Sequence, residues 1–279
     1  MKKYNRLKKN LVLNYVILAF TAAVLTGCKG SIEEADRTQE QAADSAPQTV
    51  DVQMADAMDL AEEEQTTGIA GESAADAQID FPALKEENPD IFAWIHVPGT
   101  TIDYPVLQSE QADDFYESHN AYGQEDEAGA VYIELANLTN MCDFNTVLHG
   151  KTGTDGKGLF ADLYRFADPD FFKDHENIYL YMDGNLLTYE IFAAYERVYT
   201  SLLGSYDFTY LDGCAQFLDD LYGIRDMTMN LREGWEGVTP YHFLITLTTQ
   251  KEEKPDSQFV VIAILTQDAA GTIDRIVAE

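Results

Sequence analysis

The most informative stretch of the chain reads Leu244-Ile245-Thr246-Leu247-Thr248-Thr249-Gln250, and eight residues after Gln250 it resumes as Gln258-Phe259-Val260-Val261-Ile262-Ala263-Ile264-Leu265. Both runs are short, rich in β-branched residues and bounded by polar residues, which is typical of buried β-strands. A charged connection with one proline separates them. The two runs therefore predict neighbouring strands whose adjoining ends carry Gln250 and Gln258.

Working outward from this pair, three more segments have clear periodicity. Trp94–Val106 alternates on either side of Pro98-Gly99, which predicts strand, turn and strand. Ile178–Phe192 holds an Asp-Gly pair between two alternating runs and predicts a hairpin. Tyr210–Ile224 places its apolar residues on one face and predicts an amphipathic helix. These signals together predict a mainly β fold, a β-barrel with a few short helices.

Two shorter helices are also expected. Phe81–Phe92 opens with Pro82 and acidic residues, and Pro89 breaks or restarts the helix. Gly158–Phe166 has apolar residues at helical spacing after a glycine-rich turn.

Three motifs in this barrel resemble those of the class B sortases. Asn88-Pro89-Asp90 and the following Trp94–Val106 are similar to the family's N-P-D-x-x-x-W-I-x-I/V-P-G-T-x-I-D/S-Y-P-V. The C-terminal pair resembles T-L-S/T-T-C followed by a strand that opens with Arg, and Thr146–Lys151 resembles a strand ending in Y-G-H. The resemblance covers residues 81–268. It implies a sortase-type β-barrel with a helix inserted before the strand that ends at Gln250.

The reactive positions of that family pattern are all replaced in this chain. The resemblance implies a nucleophilic Cys at the position of Gln250, a catalytic His at Lys151 and an Arg at Gln258. A glutamine amide has no nucleophilic atom, so no acyl-enzyme can form at Gln250. An ammonium group at Lys151 is not a ready base, and Gln258 donates hydrogen bonds but carries no charge. The sequence therefore predicts the sortase barrel without the sortase reaction.

Two nearby residues offer an unorthodox catalytic route. His149 lies two residues before Lys151, and Thr248 two residues before Gln250, so each pair faces one way on its strand. A Thr248 nucleophile with His149 as base would give a cysteine-independent transpeptidase or hydrolase. The simpler explanation is a wall-lining histidine and a β-branched strand residue.

A groove shaped for an extended peptide can persist after its reactive groups are lost. We expect a polar peptide-binding floor at Lys151, Thr248, Gln250 and Gln258. It would hold a peptide or surface-protein sorting signal without cutting it, and the protein would present that peptide or assist an active sortase. Two alternatives stay open, the unorthodox enzyme and a structural envelope protein whose groove is vestigial.

The N-terminal part of the chain predicts a lipid anchor and a spacer. Residues 1–28 combine a basic start with an apolar stretch and end in Leu25-Thr26-Gly27-Cys28, which resembles the lipoprotein cleavage box with Cys28 as the lipidated residue. Residues 29–80 contain fourteen acidic residues and no aromatic residue, so an acidic, disordered tether is expected. Residues 81–279 form the sortase-like domain. The protein is expected to be extracytoplasmic, anchored by lipid to the membrane of a bacterium, with a Gram-positive envelope the best match.

Composition narrows the choice of ligands. The formal net charge of −31 disfavours nucleic acid as a partner. The five histidines show no ligand spacing with cysteine or with one another, so neither a metal nor another cofactor is expected. Apart from Cys28 the chain has only Cys142 and Cys214, which the sequence leaves as either a disulfide or two separate thiols.

Overall fold

The computed structural model describes residues 79–153, 157–251 and 253–274. Nine strands run through this part of the chain: β1 Ile91–His96, β2 Asp103–Leu107, β3 Val131–Tyr132, β4 Asn145–His149, β5 Asn177–Met182, β6 Asn185–Val198, β7 Asn230–Leu231, β8 Leu244–Thr249 and β9 Ser257–Asp268. The same residues form four α-helices: α1 Phe81–Glu87, α2 Pro169–Asp174, α3 Leu202–Ser205 and α4 Leu211–Gly223. Two 3₁₀-helices span Phe115–Glu117 and Ala161–Ala167.

Eight of these strands close into a barrel. Their order is β5-β1-β2-β3-β4-β8-β9-β6, and pairing of β5 with the first half of β6 closes the barrel. The short strand β7 pairs with β6 further along, at Ala193 and Ala194. Neighbouring strands are antiparallel except for β2 with β3 and β4 with β8. The predicted mainly β barrel is therefore confirmed. The parallel pairing of β4 with β8 also brings the C-terminal ends of these two strands to one rim.

Alternate residues of the barrel strands face the interior. In β8, Ile245 and Leu247 belong to the interior core, and in β9 Phe259, Val261 and Ala263 do so. The residues between them face outward. This period of two fixes the register, because a slip by one residue would expose the whole interior set.

The outer face of β8 and β9 is covered by α4. The helix buries Cys214, Phe217, Leu218 and Leu221, which are spaced as one stripe of a helix. They pack in one cluster with the outward-facing Val260, Ile262 and Ile264 of β9. The predicted helix over Tyr210–Ile224 and its position before the strand that ends beside Gln250 are confirmed.

Two of the predicted helices differ in the structure. The helix expected over Phe81–Phe92 ends at Glu87, because Asn88 caps it and Pro89 cannot continue it. Ile91 and Phe92 alternate between core and surface as the start of β1 instead. The helix expected over Gly158–Phe166 is the 3₁₀-helix Ala161–Ala167.

Other predictions lie partly or wholly outside the described residues. The signal over residues 1–28, with Cys28, lies outside them, as does the tether up to residue 78. Among the residues that the structure describes, no helix is both long enough and apolar enough to cross a membrane. Cys142 and Cys214 are not joined in a disulfide, and Cys214 is buried on the inner face of α4.

Candidate functional site

A cleft opens at the rim where β4 and β8 end. It has a volume of about 390 Å³. All five residues predicted for the site line it, which are His149, Lys151, Thr248, Gln250 and Gln258. The strand register explains this, since His149 pairs with Thr248 in the parallel ladder and Thr249 pairs with Phe259 in the antiparallel one. The end of β4, the end of β8 and the start of β9 consequently meet at one place.

Gln250 comes directly after β8, and its side chain turns back on its own loop. Its Nε2 donates a hydrogen bond to the carbonyl oxygen of Pro255, in the connection between β8 and β9. The residue is half-buried. The position at which the sequence resemblance implies a nucleophile therefore holds an amide that ties the following loop to the end of the strand.

Gln258 is buried at the start of β9, with 4% of its surface exposed. Its Oε1 accepts a hydrogen bond of 3.1 Å from Oγ1 of Thr248. Its Nε2 donates a hydrogen bond of 3.0 Å to the carbonyl oxygen of Thr200, in the connection between β6 and α3. Both ends of this amide therefore have partners inside the protein, as a buried polar group requires.

Lys151 lies two residues beyond β4 and also lines the cleft. Its Nζ donates to the carbonyl oxygen of Glu127 at 3.3 Å, in the long connection between β2 and β3. The next residue, Thr152, shares a 2.8 Å hydrogen bond with Thr249, and both of these hydroxyl groups are buried. The strand extension that carries Lys151 is thereby fastened to the end of β8.

Gly150, between His149 and Lys151, has no room for a side chain. A Cβ atom at this position would lie 2.6 Å from the ring of Phe160. The close approach of the backbone to this ring explains why glycine stands at the centre of the motif that resembles Y-G-H.

His149 faces an acid and an aromatic ring rather than a hydroxyl group. Its Nε2 lies 3.1 Å from Oε1 of Glu134, although the angle departs from that of a regular hydrogen bond. Its ring stacks on that of Tyr132, with 5.1 Å between centroids. The contact with His149 holds the pKa of Glu134 below its usual value.

The unorthodox dyad gains no support from this arrangement. Thr248 and His149 are neighbours in the ladder, but Thr248 donates its hydroxyl proton to the amide oxygen of Gln258. An amide oxygen is not a base that activates a hydroxyl nucleophile. Within the described part of the chain, no hydrogen bond joins Thr248 to His149.

Further residues that the sequence did not single out also line the cleft, among them Glu117, Tyr132 and Tyr199. Tyr199 is 56% exposed and follows the end of β6. Burial raises the pKa of Tyr132, and the nearby Glu117 and Tyr199 add to the shift. Period-two alternation at Val131-Tyr132 was the available signal for Tyr132. Tyr199 lies outside any strand and gave none.

Lys251, the residue after Gln250, also lines the cleft. Its Nζ lies 3.9 Å from the ring centroid of Tyr164. Residues 79–153, 157–251 and 253–274 contain no group of three or more His, Cys, Asp or Glu side chains that could hold a metal ion. A larger cleft, of about 1010 Å³, lies between the connection that precedes β4 on one side and α3 with the connection between α3 and α4 on the other. None of the predicted site residues lines that larger cleft.

Comparison with known proteins agrees with the fold. No family model matches the chain. Sortase B of Listeria monocytogenes is 33% identical over 198 residues, which is 68% of this chain and 72% of that protein. Sortase B of Staphylococcus aureus is 26% identical over 140 residues, half of this chain and 57% of that protein. The crystal structure of a mutant form of Clostridium perfringens sortase B matches with a TM-score of 0.59 and 26% identity, over 67% of this chain and 86% of that one.

Proposed function

The chain belongs to the class B sortase family, and we propose that it is a member that binds a sorting-signal peptide without cleaving it. The observation that carries this proposal is the engagement of the three replaced residues. Gln250, Gln258 and Lys151 line the cleft, and each makes a hydrogen bond within the protein. Reactive groups have given way to structural contacts while the cleft itself remains.

The absence of chemistry follows from the groups that line the cleft. Transpeptidation through an acyl-enzyme needs a nucleophile that a base activates. Loss of a nucleophile alone typically lowers the rate by several orders of magnitude, and loss of its partners adds little. Gln250 offers no nucleophile, and the hydroxyl group of Thr248 is committed to Gln258. Peptide cleavage at this site is therefore not expected.

Binding is favoured by what the cleft retains. Its two walls come from different connections, and the exposed ring of Tyr199 stands on one of them. Tyr132 and His149, which also line the cleft, stack on each other. Aromatic side chains supply large contact area at little cost in conformational entropy, which suits recognition of an extended peptide. Family membership makes a sorting signal the first candidate for that peptide.

We also propose that the protein is a lipoprotein held outside the cytoplasm of a bacterium. The support is in the sequence, where a basic start and an apolar run end at the cleavage-box residues Leu25-Thr26-Gly27-Cys28. The acidic spacer that follows would let the barrel reach away from the membrane. Replacing Cys28 with serine should release the protein from the membrane fraction, and unchanged membrane retention would contradict the proposal.

Peptide titration tests the proposed binding. The full-length protein in detergent is titrated into fluorescent peptides of the N-P-x-T-x type and into scrambled peptides, with anisotropy and peptide mass read together. We expect saturable binding of the first set and intact peptide masses. Tyr199→Ala should weaken binding by at least about fivefold, whereas Tyr241→Ala, equally exposed but outside the cleft, should not. Absence of binding would leave the structural envelope protein as the better account.

A further inference from the structure

The two glutamines at the positions of the family Cys and Arg are linked to each other through the cleft wall. Gln250 Nε2 donates to the carbonyl oxygen of Pro255. The next residue, Asp256, accepts a 3.0 Å hydrogen bond from the backbone N–H of Tyr199. The connection after β8 is thus joined on one side to the end of its own strand and on the other to the segment after β6.

The second glutamine completes the circuit. Thr200, directly after Tyr199, offers its carbonyl oxygen to Nε2 of Gln258 at 3.0 Å. Oε1 of Gln258 accepts from Thr248, which lies two residues before Gln250 on β8. The contacts therefore form a closed ring that begins at Gln250, directly after β8, and returns to Thr248 near the end of that strand.

The ring has further fastenings that fix the same wall. Arg197 donates to the carbonyl oxygen of Thr200 at 3.1 Å and to its hydroxyl group at 2.9 Å. Glu196 accepts from Nζ of Lys254 at 3.0 Å and also from the hydroxyl group of Ser257. The first set fixes the segment after β6, and the second holds the connection after β8 against the end of β6.

We propose that Gln250 and Gln258 are positioning residues, whose hydrogen-bonded ring fixes the cleft wall that carries Tyr199. The physical basis is preorganisation. A wall that is already ordered before binding loses less conformational freedom when a ligand arrives. The exposed Tyr199 ring is then presented to the cleft in one place rather than carried on a free connection. The substitutions that removed the sortase reaction have, on this account, given the cleft a rigid side.

The backbone N–H of Tyr199 belongs to the hydrogen-bonded ring, because it donates to the backbone carbonyl oxygen of Asp256. Its exchange rate therefore reports directly on whether that ring is closed. Hydrogen exchange at this amide is measured in the full-length protein without peptide, for the natural protein, Gln250→Ala, Gln258→Glu and the double variant. Gln258→Glu has nearly the same shape and, as a carboxylate, still accepts from Thr248 but cannot donate to Thr200. Lys151→Ala, which removes the contact with the carbonyl oxygen of Glu127 but none of the bonds of the ring, is the control.

We expect each single substitution to raise the exchange rate at Tyr199 by about tenfold, the size of one hydrogen bond lost. At Tyr199 the double variant should exchange at about the rate of whichever single variant exchanges faster. Either substitution alone already opens the hydrogen-bonded ring, so the second adds nothing. Lys151→Ala should leave the rate unchanged. An unchanged rate in either single glutamine variant, or a double effect equal to the product of the two, would overturn the proposal.

The consequence for ligands rests on the proposed function, and a second readout separates the two. Peptide affinity should fall in Gln258→Glu when it is measured well below that variant's own midpoint of global unfolding, where unfolded protein does not contribute to the loss. If exchange at Tyr199 is faster in the glutamine variants but the natural protein binds no peptide, the positioning role of the glutamines is retained and the proposed peptide binding is rejected. If the natural protein binds the peptide and the glutamine variants leave the exchange rate at Tyr199 unchanged, the proposed function is retained and the positioning role of the two glutamines is rejected.

Discussion

Replacing Gln258 with leucine gives the most quantitative test of its buried position. The glutamine side chain is 4% exposed, accepts from Thr248 and donates to Thr200. Leucine has a similar volume but can make neither bond. The hydroxyl group of Thr248, in a residue 5% exposed, would lose its acceptor, whereas the carbonyl oxygen of Thr200 would keep Arg197 as a donor.

The expected cost follows from typical hydrogen-bond energies. Two neutral hydrogen bonds contribute about 2 kcal/mol together, and the buried hydroxyl group left without a partner adds about 1 kcal/mol. Burial of the apolar leucine side chain offsets about 1–2 kcal/mol of this loss. We therefore expect Gln258→Leu to lower the free energy of unfolding by about 1–2 kcal/mol.

Urea unfolding of the full-length protein measures this quantity, with the fluorescence of Trp94 and Trp235 as the signal. The double variant Thr248→Val with Gln258→Leu replaces both partners by apolar groups. It should recover about 1 kcal/mol relative to Gln258→Leu alone, because no buried donor then lacks an acceptor. A Gln258→Leu protein as stable as the natural one, or a double variant without recovery, would refute the reasoning.

Two further predictions concern Gly150 and the contact between Glu134 and His149. Gly150→Ala should lower the free energy of unfolding by about 1–3 kcal/mol, because its Cβ would meet the ring of Phe160. Gly223→Ala, where no atom lies within 4 Å, should not destabilise, and equal effects would contradict the steric explanation. Glu134 has a lowered pKa in the folded state, so its contact with His149 stabilises above the unfolded value of about 4.5 and is lost as the pH falls through the lower folded value. The stability difference between the natural protein and Glu134→Gln should therefore shrink as the pH falls from 5 to 3, and a difference independent of pH would count against this pair.

The positions of the site residues could be predicted because the sequence indicates where the strands that carry them end. Gln250 and Gln258 bound two clear apolar runs, and adjoining ends of neighbouring strands must lie close together. Lys151 followed a third strand, and the family resemblance placed that strand beside β8. The parallel pairing of β4 with β8 confirms this.

The partners of these side chains were not predictable from the sequence. Thr200 lies 58 residues from Gln258, in a connection without periodicity, and nothing local to either residue indicates their contact. Tyr199 escaped notice for the same reason. The helix expected to reach Phe92 was wrong because tertiary pairing of β1 with β2 and β5 outweighed the local helical signal after Asn88.

The ring also bears on any attempt to restore the family's reactive groups. Gln250→Cys removes the donor to Pro255, and Gln258→Arg removes the acceptor for Thr248 while keeping a donor for Thr200. The triple variant Lys151→His, Gln250→Cys and Gln258→Arg should therefore regain chemistry on a looser wall. We expect slow cleavage rather than the rate of a native sortase.

The central claim is that this barrel binds a sorting peptide and does not cut it. Its most direct test is mass spectrometry of protein and peptide after prolonged incubation of the full-length protein with an N-P-x-T-x peptide that it binds, with the triple variant in parallel. We predict unchanged masses with the natural protein, and a thioester adduct together with cleaved peptide with the triple variant. A cleaved peptide in the presence of the natural protein, lost in Thr248→Ala but retained in Gln250→Ala, would contradict the account and point to the unorthodox enzyme.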